Sequence, residues 1–271
     1  MDAFTPGKIL TFALIRPTCL FALAVLLLLS ASAAAQDLFE IQVYPYDTVT
    51  PCRTMVELHM NYFPSGTKQA EDETFPNHHQ FHFTVEVTHG LTKHFELAGY
   101  LVTAVVPGVG PKFAGARVRP RFRLPETLRL PFKVSISTEL GFNKQQFDPN
   151  TITLEIRPIL EREIGKWYLS FNPDLSKSFR GINSHRGFEF EPGLKVSYAV
   201  TKRIEPGFEY YAATGPVTHF ERLRDQHHLI FPTLEVNAGP NWELNFGVGR
   251  GLTSTSERWV VKWILGYRLK F

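Results

Sequence analysis

The stretch Trp259-Val-Val-Lys-Trp-Ile-Leu-Gly-Tyr-Arg-Leu-Lys-Phe271 decides the fold class of this chain. Every odd position carries an apolar or aromatic side chain, whereas the even positions include lysine, arginine and glycine. A period of two predicts a β-strand with one apolar face and one cationic face. A soluble sheet would have to bury the apolar face under a second layer. A membrane barrel turns that face towards lipid and keeps the charges inside.

The same stretch resembles the C-terminal strand of bacterial outer-membrane β-barrels, which commonly ends in Phe after alternating apolar and aromatic residues. The resemblance implies an assembly signal that the barrel-assembly machinery recognises. Its residues are Trp259, Trp263, Tyr267, Leu269 and Phe271.

The first 35 residues have the features of a secretory signal peptide. Lys8 and Arg16 precede an apolar run over 19–29, and small residues follow as far as Ala35. This order of basic, apolar and small residues predicts a signal peptide over 1–35 that is removed from the mature chain. An uncleaved membrane anchor is the alternative, but the apolar run is short for a membrane span.

Charge and cysteine content exclude two classes of protein. The formal net charge is +3 at pH 7, and removal of the signal peptide takes away two basic residues and one acidic residue. A nearly neutral mature chain gives no reason to expect a nucleic-acid partner. Cys52 is the single cysteine beyond the signal peptide, so no internal disulfide framework is expected.

Apolar alternation beyond residue 52 predicts an all-β protein, a single antiparallel up-and-down transmembrane barrel over 53–271. Twelve strands are expected, an even number as in single-chain bacterial barrels. They span 53–63, 78–88, 93–105, 112–123, 130–142, 151–163, 166–177, 186–198, 202–213, 227–237, 241–250 and 258–271. Short links, such as 125–129, alternate with longer ones, such as 106–111, which predicts periplasmic turns and extracellular loops. Residues 36–52 remain as an N-terminal periplasmic extension, or alternatively as a segment folded into the barrel mouth.

One predicted strand carries four arginines at a spacing of two: Arg117, Arg119, Arg121 and Arg123. On a lipid-facing side each would cost roughly 2–4 kcal/mol near the bilayer midplane. The four side chains are therefore expected to point into the lumen. Glu96 on the preceding strand and Glu139 on the following one are the candidate partners. The other predicted lumen charges are Glu57, Glu86, Glu155, Arg157, Glu189, Glu191, Glu205, Glu209, Glu235 and Glu243.

Two interpretations of these charges stay open. The acids and bases could pair and fill a closed barrel. Alternatively, they could line a narrow water-filled pore whose arginine row draws anionic solutes past an acidic wall. A barrel of twelve strands lies between filled small barrels and open porins, so its size does not decide the question.

Catalytic and metal-binding signals are weak. The pairs His78-His79 and His227-His228 fall where predicted loops meet strands, but neighbours on a strand point to opposite faces. No zinc motif, phosphate loop or nucleophile elbow is present. Neither enzymatic activity nor a metal or other cofactor is expected. A lipid-modifying barrel enzyme is the least favoured alternative.

The signal peptide, the opening Glu40-Ile-Gln-Val-Tyr44, the early turn and the terminal Phe271 resemble a group of small barrels named for the meta pathway of phenol degradation. The resemblance implies an outer-membrane transporter of small, often aromatic molecules. It carries over no substrate-binding residue. The expected partners are outer-membrane lipid and a small solute. A closed barrel that acts as a surface-interaction protein through its loops is the alternative function.

Overall fold

A computed structural model describes residues 37–70 and 73–269. The predicted signal peptide over 1–35 and the terminal residue Phe271 lie outside them. The described chain forms one closed, antiparallel, twelve-stranded barrel, which confirms the predicted fold class. Its strands are β1 Thr54–Ser65, β2 Phe81–Gly90, β3 Phe95–Val106, β4 Gly110–Arg123, β5 Lys133–Asn143, β6 Asn150–Ile164, β7 Trp167–Gly181, β8 Glu189–Tyr198, β9 Ile204–Ala213, β10 His227–Asn237, β11 Trp242–Gly251 and β12 Trp259–Leu269.

Strands adjacent in sequence pair with each other, and β1 pairs with β12 to close the ring. The closing register runs from Thr54 opposite Leu269 to Ser65 opposite Trp259, with one irregularity near the end of β1. Closure leaves no strand edge unpaired, which a barrel in an apolar medium requires. In the described part of the chain, no helix has the length and apolar character needed to cross a membrane.

Alternation along the strands separates an inner face from an apolar outer face. In β2, for example, His82, Thr84 and Glu86 are buried, whereas Val85 and Val87 are exposed on the outside. Exposed apolar side chains around the whole barrel suit contact with lipid. Aromatic pairs lie near one end of this surface, where they fit the membrane–water interface. These pairs are Trp167 with Tyr198 and Trp242 with Tyr267, with ring centroids 4.9 and 4.5 Å apart.

The links divide the barrel into a long-loop end and a short-turn end, with two departures from the prediction. The link 107–109 at the long-loop end is a tight turn of three residues. At the short-turn end, residues 124–132 form a longer connection that includes the 3₁₀ helix Glu126–Leu128. Arg129 closes that helix in the left-handed conformation, with φ of 50°.

Residues 37–46 lie inside the barrel and 47–50 at its short-turn end, which favours the second of the two predicted placements, a segment folded into the barrel mouth, over a periplasmic extension. The physical reason for this placement is the burial of apolar and aromatic side chains. They are Phe39, Ile41, Val43, Tyr44 and Tyr46. We call residues 37–50 the internal segment. The segment begins towards the long-loop end, crosses the lumen and leaves at the short-turn end beside the bridge between Pro51 and Gly90.

Candidate functional site

The internal segment fills the lumen with two apolar clusters. On one side, Ile41 and Val43 pack against Phe63, Phe231 and their neighbours from β1, β9, β10 and β12. On the other side, Phe39 packs against β3 and β4. The first cluster depends on Gly249 in β11, since a Cβ added there would lie 2.3 Å from the Phe231 ring. The lumen is therefore apolar as well as charged.

Wall side chains satisfy the backbone of the internal segment at its centre. The Tyr44 amide donates to Asn172 Oδ1 at 2.6 Å, and the Tyr44 carbonyl accepts from Ser170 Oγ at 2.9 Å. The Tyr46 amide donates to Glu161 Oε2 at 2.7 Å. Buried backbone groups need such partners, and here side chains take the place of a neighbouring strand.

The same pattern holds along the rest of the segment. Thr84 Oγ1 donates to the Phe39 carbonyl at 3.1 Å, and Lys262 Nζ donates to the Ile41 carbonyl at 3.0 Å. Towards the short-turn end, the Val49 amide donates to Glu96 Oε2 at 2.6 Å. Together with Glu161 of β6 and Asn172 of β7, these contacts reach the segment from opposite sides of the barrel.

The arginine row of β4 faces the lumen, and each of its members pairs with a carboxylate. Arg117 contacts Glu139 at 3.1 Å, Glu40 at 3.5 Å and also Asp37. Two of these three acids belong to the internal segment. Sequence reasoning missed them because no local pattern places the segment beside β4.

The next members of the row are buried more deeply. Arg119 pairs with Glu86 and, at 3.2 Å, with Glu96. Arg121 also pairs with Glu96, at 2.6 Å, and donates to the Pro45 carbonyl at 3.0 Å.

At the short-turn end, Arg123 reaches Asp47 of the segment at 2.6 Å. The row therefore binds wall carboxylates and the internal segment at once.

Tyr44 is the centre of this arrangement. The guanidinium carbons of Arg157 and Arg119 lie 4.3 and 4.7 Å from its ring centroid, and that of Arg121 lies 5.5 Å away. Cations over an aromatic face are stabilised by roughly 0.5–2 kcal/mol each. Tyr44 thus fixes the segment among charges that belong to the wall.

The remaining predicted lumen charges form separate groups. Arg157 pairs with Glu155 and Asp174, each at 2.8 Å. Lys195 pairs with Glu235 and Glu209, and Glu209 also binds Lys262. Glu243 pairs with Arg268, Glu189 with Arg186, Glu191 accepts from Ser176, and Glu205 accepts from Ser197. Lys195 and Lys262 are both buried in the lumen, as their alternation with apolar neighbours on their strands predicts.

A cavity of about 560 Å³ remains beside the internal segment, towards the short-turn end. Segment residues from Gln42 to Thr50 form one side of it, and β1, β9, β10, β11 and β12 contribute to the other. Glu57, Glu205, Glu235 and Glu243 line this space. Arg119, Arg121 and Lys195 line it as well. Within the ranges that the structure describes, Glu57 forms no ion pair, so its carboxyl group faces the cavity without a cationic partner.

Among the described residues, two groups of side chains could hold a metal ion. One combines Asp37, Glu40 and Glu139, but the Arg117 guanidinium already pairs with all three. The other combines Glu40 with His59 and Glu86. Over residues 37–70 and 73–269, the two histidine pairs at the barrel rim do not form a ligand group.

Comparison with solved structures places the fold among outer-membrane barrels. The COG4313 outer membrane channel from Pseudomonas putida F1 aligns with a TM-score of 0.59 and 13% identity, over 85% of this chain and 100% of that one. The NanC porin aligns with a TM-score of 0.55 and 10% identity, over 80% and 100%. The KdgM porin aligns with a TM-score of 0.50 and 11% identity, over 80% and 99%. No family model matches the sequence, and no curated relative matches it. At these identities the likeness shows the fold alone.

Proposed function

We propose that this protein is a gated channel for small solutes in the bacterial outer membrane, and that the internal segment is its gate. The observation that carries the proposal is the position of the segment inside a closed barrel, beside a cavity of about 560 Å³. The apolar outer face and the fold of the structural neighbours support the location. Outer-membrane lipid would surround the barrel, and the barrel-assembly machinery would insert it.

The arginine row acts in this proposal as an anchor for the gate rather than as an anion filter. Each arginine already has a carboxylate partner, and Arg117 and Arg123 bind acids of the segment itself. A charge that is neutralised at short range exerts little force on a passing ion. The solute would instead pass along the side that Glu57 lines. The resemblance to the phenol meta-pathway group would make an aromatic molecule the solute.

Single-channel current through the refolded mature protein tests the gate. Deletion of 37–50 should raise the conductance several-fold, because the deletion removes the side chains that fill the lumen. Heat-modifiable migration on a gel would verify that the variant still forms a barrel. An unchanged conductance in a folded deletion variant would refute the gate.

A disulfide lock provides the matched test in the full chain. A Cβ built on Gly193 lies 3.3 Å from Val43 Cγ2, which suits a disulfide between residues 43 and 193. In a Cys52→Ser background, Val43→Cys with Gly193→Cys should suppress channel openings until reductant is added. The single variant Val43→Cys should be insensitive to reductant. Openings that persist in the oxidised double variant would contradict movement of the segment.

A closed barrel that acts through its loops is the second candidate function. The apolar cluster around Phe231 and the paired lumen charges favour it, since both fill space that a pore would need. A deletion variant that folds and conducts, while the wild type never opens under any applied voltage, would favour this second function.

A further inference from the structure

We propose that Glu40, His59 and Glu86 bind one divalent transition-metal ion, which attaches the internal segment to the barrel wall. A carboxylate oxygen of Glu40, a ring nitrogen of His59 and a carboxylate oxygen of Glu86 all lie within 4.8 Å of one another. Glu40 belongs to the segment, whereas His59 and Glu86 are diagonal neighbours on the paired strands β1 and β2, where His59 lies opposite Thr84 and Glu86 opposite Glu57. The ion would therefore join two parts of the molecule that share no strand ladder.

The donor atoms of this group are buried and incompletely used. Relative exposures are 5% for Glu40, 1% for His59 and 0% for Glu86. Glu40 Oε1 and His59 Nδ1 have no hydrogen-bond partner among the described residues. Buried polar atoms without partners cost about 1–3 kcal/mol each, so their presence points to an additional ligand.

The charge of the surrounding network indicates that this ligand is a cation. Asp37, Glu40, Glu86, Glu96 and Glu139 are linked by ion pairs to Arg117, Arg119 and Arg121. With every carboxylate ionised and His59 neutral, five carboxylates and three guanidiniums leave a net charge of −2. Buried uncompensated charge is strongly unfavourable, and one divalent ion would neutralise this network.

The neighbouring arginine does not remove the excess. Arg157 pairs with both Glu155 and Asp174, so that group carries a further negative charge of its own. The acidic excess is therefore a property of this whole side of the lumen.

The donor set selects the type of ion. One imidazole and two carboxylates suit Zn²⁺ and similar first-row ions, whereas Ca²⁺ and Mg²⁺ prefer oxygen donors alone. Zinc bonds to these donors are about 2.0–2.2 Å long, which places the donor atoms of a tetrahedral site roughly 3.4 Å apart. His59 Nε2 and Glu86 Oε2 already have about this separation, at 3.3 Å. The other donor atoms lie within 4.8 Å of one another and would have to approach by up to about 1.4 Å.

Metal uptake can be measured without any channel recording. The refolded, chelator-treated mature protein should bind one Zn²⁺ per chain in equilibrium dialysis. With Co²⁺ as the probe, it should show the visible absorption of a nitrogen- and oxygen-ligated site. Failure to take up either ion would overturn the proposal.

Substitutions locate the ion. Glu40→Gln and His59→Ala should each weaken Zn²⁺ binding by more than the roughly 10–100-fold that loss of an outer-shell partner causes. His89→Ala is the matched control, because His89 lies on β2 but binds Thr54 at the exposed short-turn end. Uptake that survives Glu40→Gln and His59→Ala but disappears in His78→Ala or His228→Ala would place the ion at the rim and contradict the site.

The effect of the ion on the gate depends on the proposed function and is separable from the site. If Zn²⁺ fixes the segment, chelator should increase channel openings of the wild type but not of Glu40→Gln. Zn²⁺ binding with openings that ignore chelator would keep the metal site and refute its role in gating.

Discussion

In the barrel wall, each strand pairs with two neighbours through backbone hydrogen bonds, whereas wall side chains hold the internal segment. The lumen face of the wall and the internal segment are both deeply buried, and both contribute apolar residues to the same clusters. The difference lies in what a displacement would break. Moving a strand disrupts a continuous ladder, while moving the segment breaks separate contacts that water in an open lumen can replace. Burial alone therefore does not identify the rigid part of this molecule.

The largest expected effect concerns Arg119, where the two regions meet. Arg119→Ala would leave Glu86 and Glu96 buried without this partner and remove the cation over Tyr44. Breaking a buried pair from one side costs about 3–5 kcal/mol, so the free energy of unfolding in urea should fall by that amount.

Arg123→Ala is the matched control for this change. Arg123 belongs to the same row, but its partner Asp47 is 66% exposed, so the loss should stay below about 1 kcal/mol. Equal losses for the two variants would show that burial of the pair does not matter, and the distinction between the ends of the row would disappear.

A smaller effect should be confined to the segment. Asn172→Ala removes the acceptor of the Tyr44 amide and a donor to the Tyr44 carbonyl, at a cost of about 1–3 kcal/mol. In a Val43→Cys, Cys52→Ser background, labelling of the thiol by a water-soluble reagent should become about five- to 150-fold faster. The unfolding transition of the wall should change little.

Ser135→Ala serves as the control for Asn172→Ala. Ser135 is buried on β5, and its hydroxyl has no partner among the described residues. Its removal should leave the labelling rate unchanged. A common increase in both variants would mean that labelling reports loosening of the wall rather than release of the segment.

The smallest expected effect is pH-dependent and lies in a loop outside both regions. Burial raises the pKa of Asp148 to about 6, although Asn143 Nδ2 and the Asn150 amide donate to its carboxylate. A pKa above the unfolded value of about 4 means that the folded loop prefers the protonated form. The stability of 144–149 should therefore be greatest at acidic pH and fall as pH rises from about 4 to 6.

Hydrogen exchange of this loop, corrected for the intrinsic rate, checks the sign. Protection should decrease across that range in the wild type and stay level in Asp148→Asn. Protection that increases with pH would show that the hydrogen bonds to the carboxylate outweigh its burial.

The strands could be predicted from the sequence because the bilayer imposes a simple rule on each residue. Lipid accepts only apolar side chains, so the outer face of every strand reveals the period of two. The inward placement of Arg117 to Arg123 follows from the same rule, and so does pairing with acids on adjacent strands. The link lengths were less predictable, because the tight turn at 107–109 and the 3₁₀ helix at 126–128 depend on local backbone geometry.

The internal segment could not be placed from the sequence, because its residues do not face lipid and the same rule does not apply to them. Its alternating apolar residues suggest a strand. Among the described residues, however, its hydrogen-bond and ion-pair partners are side chains from seven different strands rather than the backbone of one neighbouring strand. No local pattern encodes an Asn172 that lies 128 residues away from Tyr44. The candidate metal ligands are hidden in the same way, since Glu40, His59 and Glu86 have none of the spacings of short metal motifs.

The seam between β1 and β12 has a consequence for the order of folding. The internal segment precedes β1 directly, yet it contacts β12 through Lys262 as well as β1 through Asn61. A segment that binds both strands holds the two ends of a long chain near each other, which lowers the entropic cost of bringing them together. Until the ring closes, Ile41 and Val43 stay in water. Filling of the lumen and closure of the seam should therefore occur as one cooperative step, and a chain that lacks the segment should close its barrel more slowly.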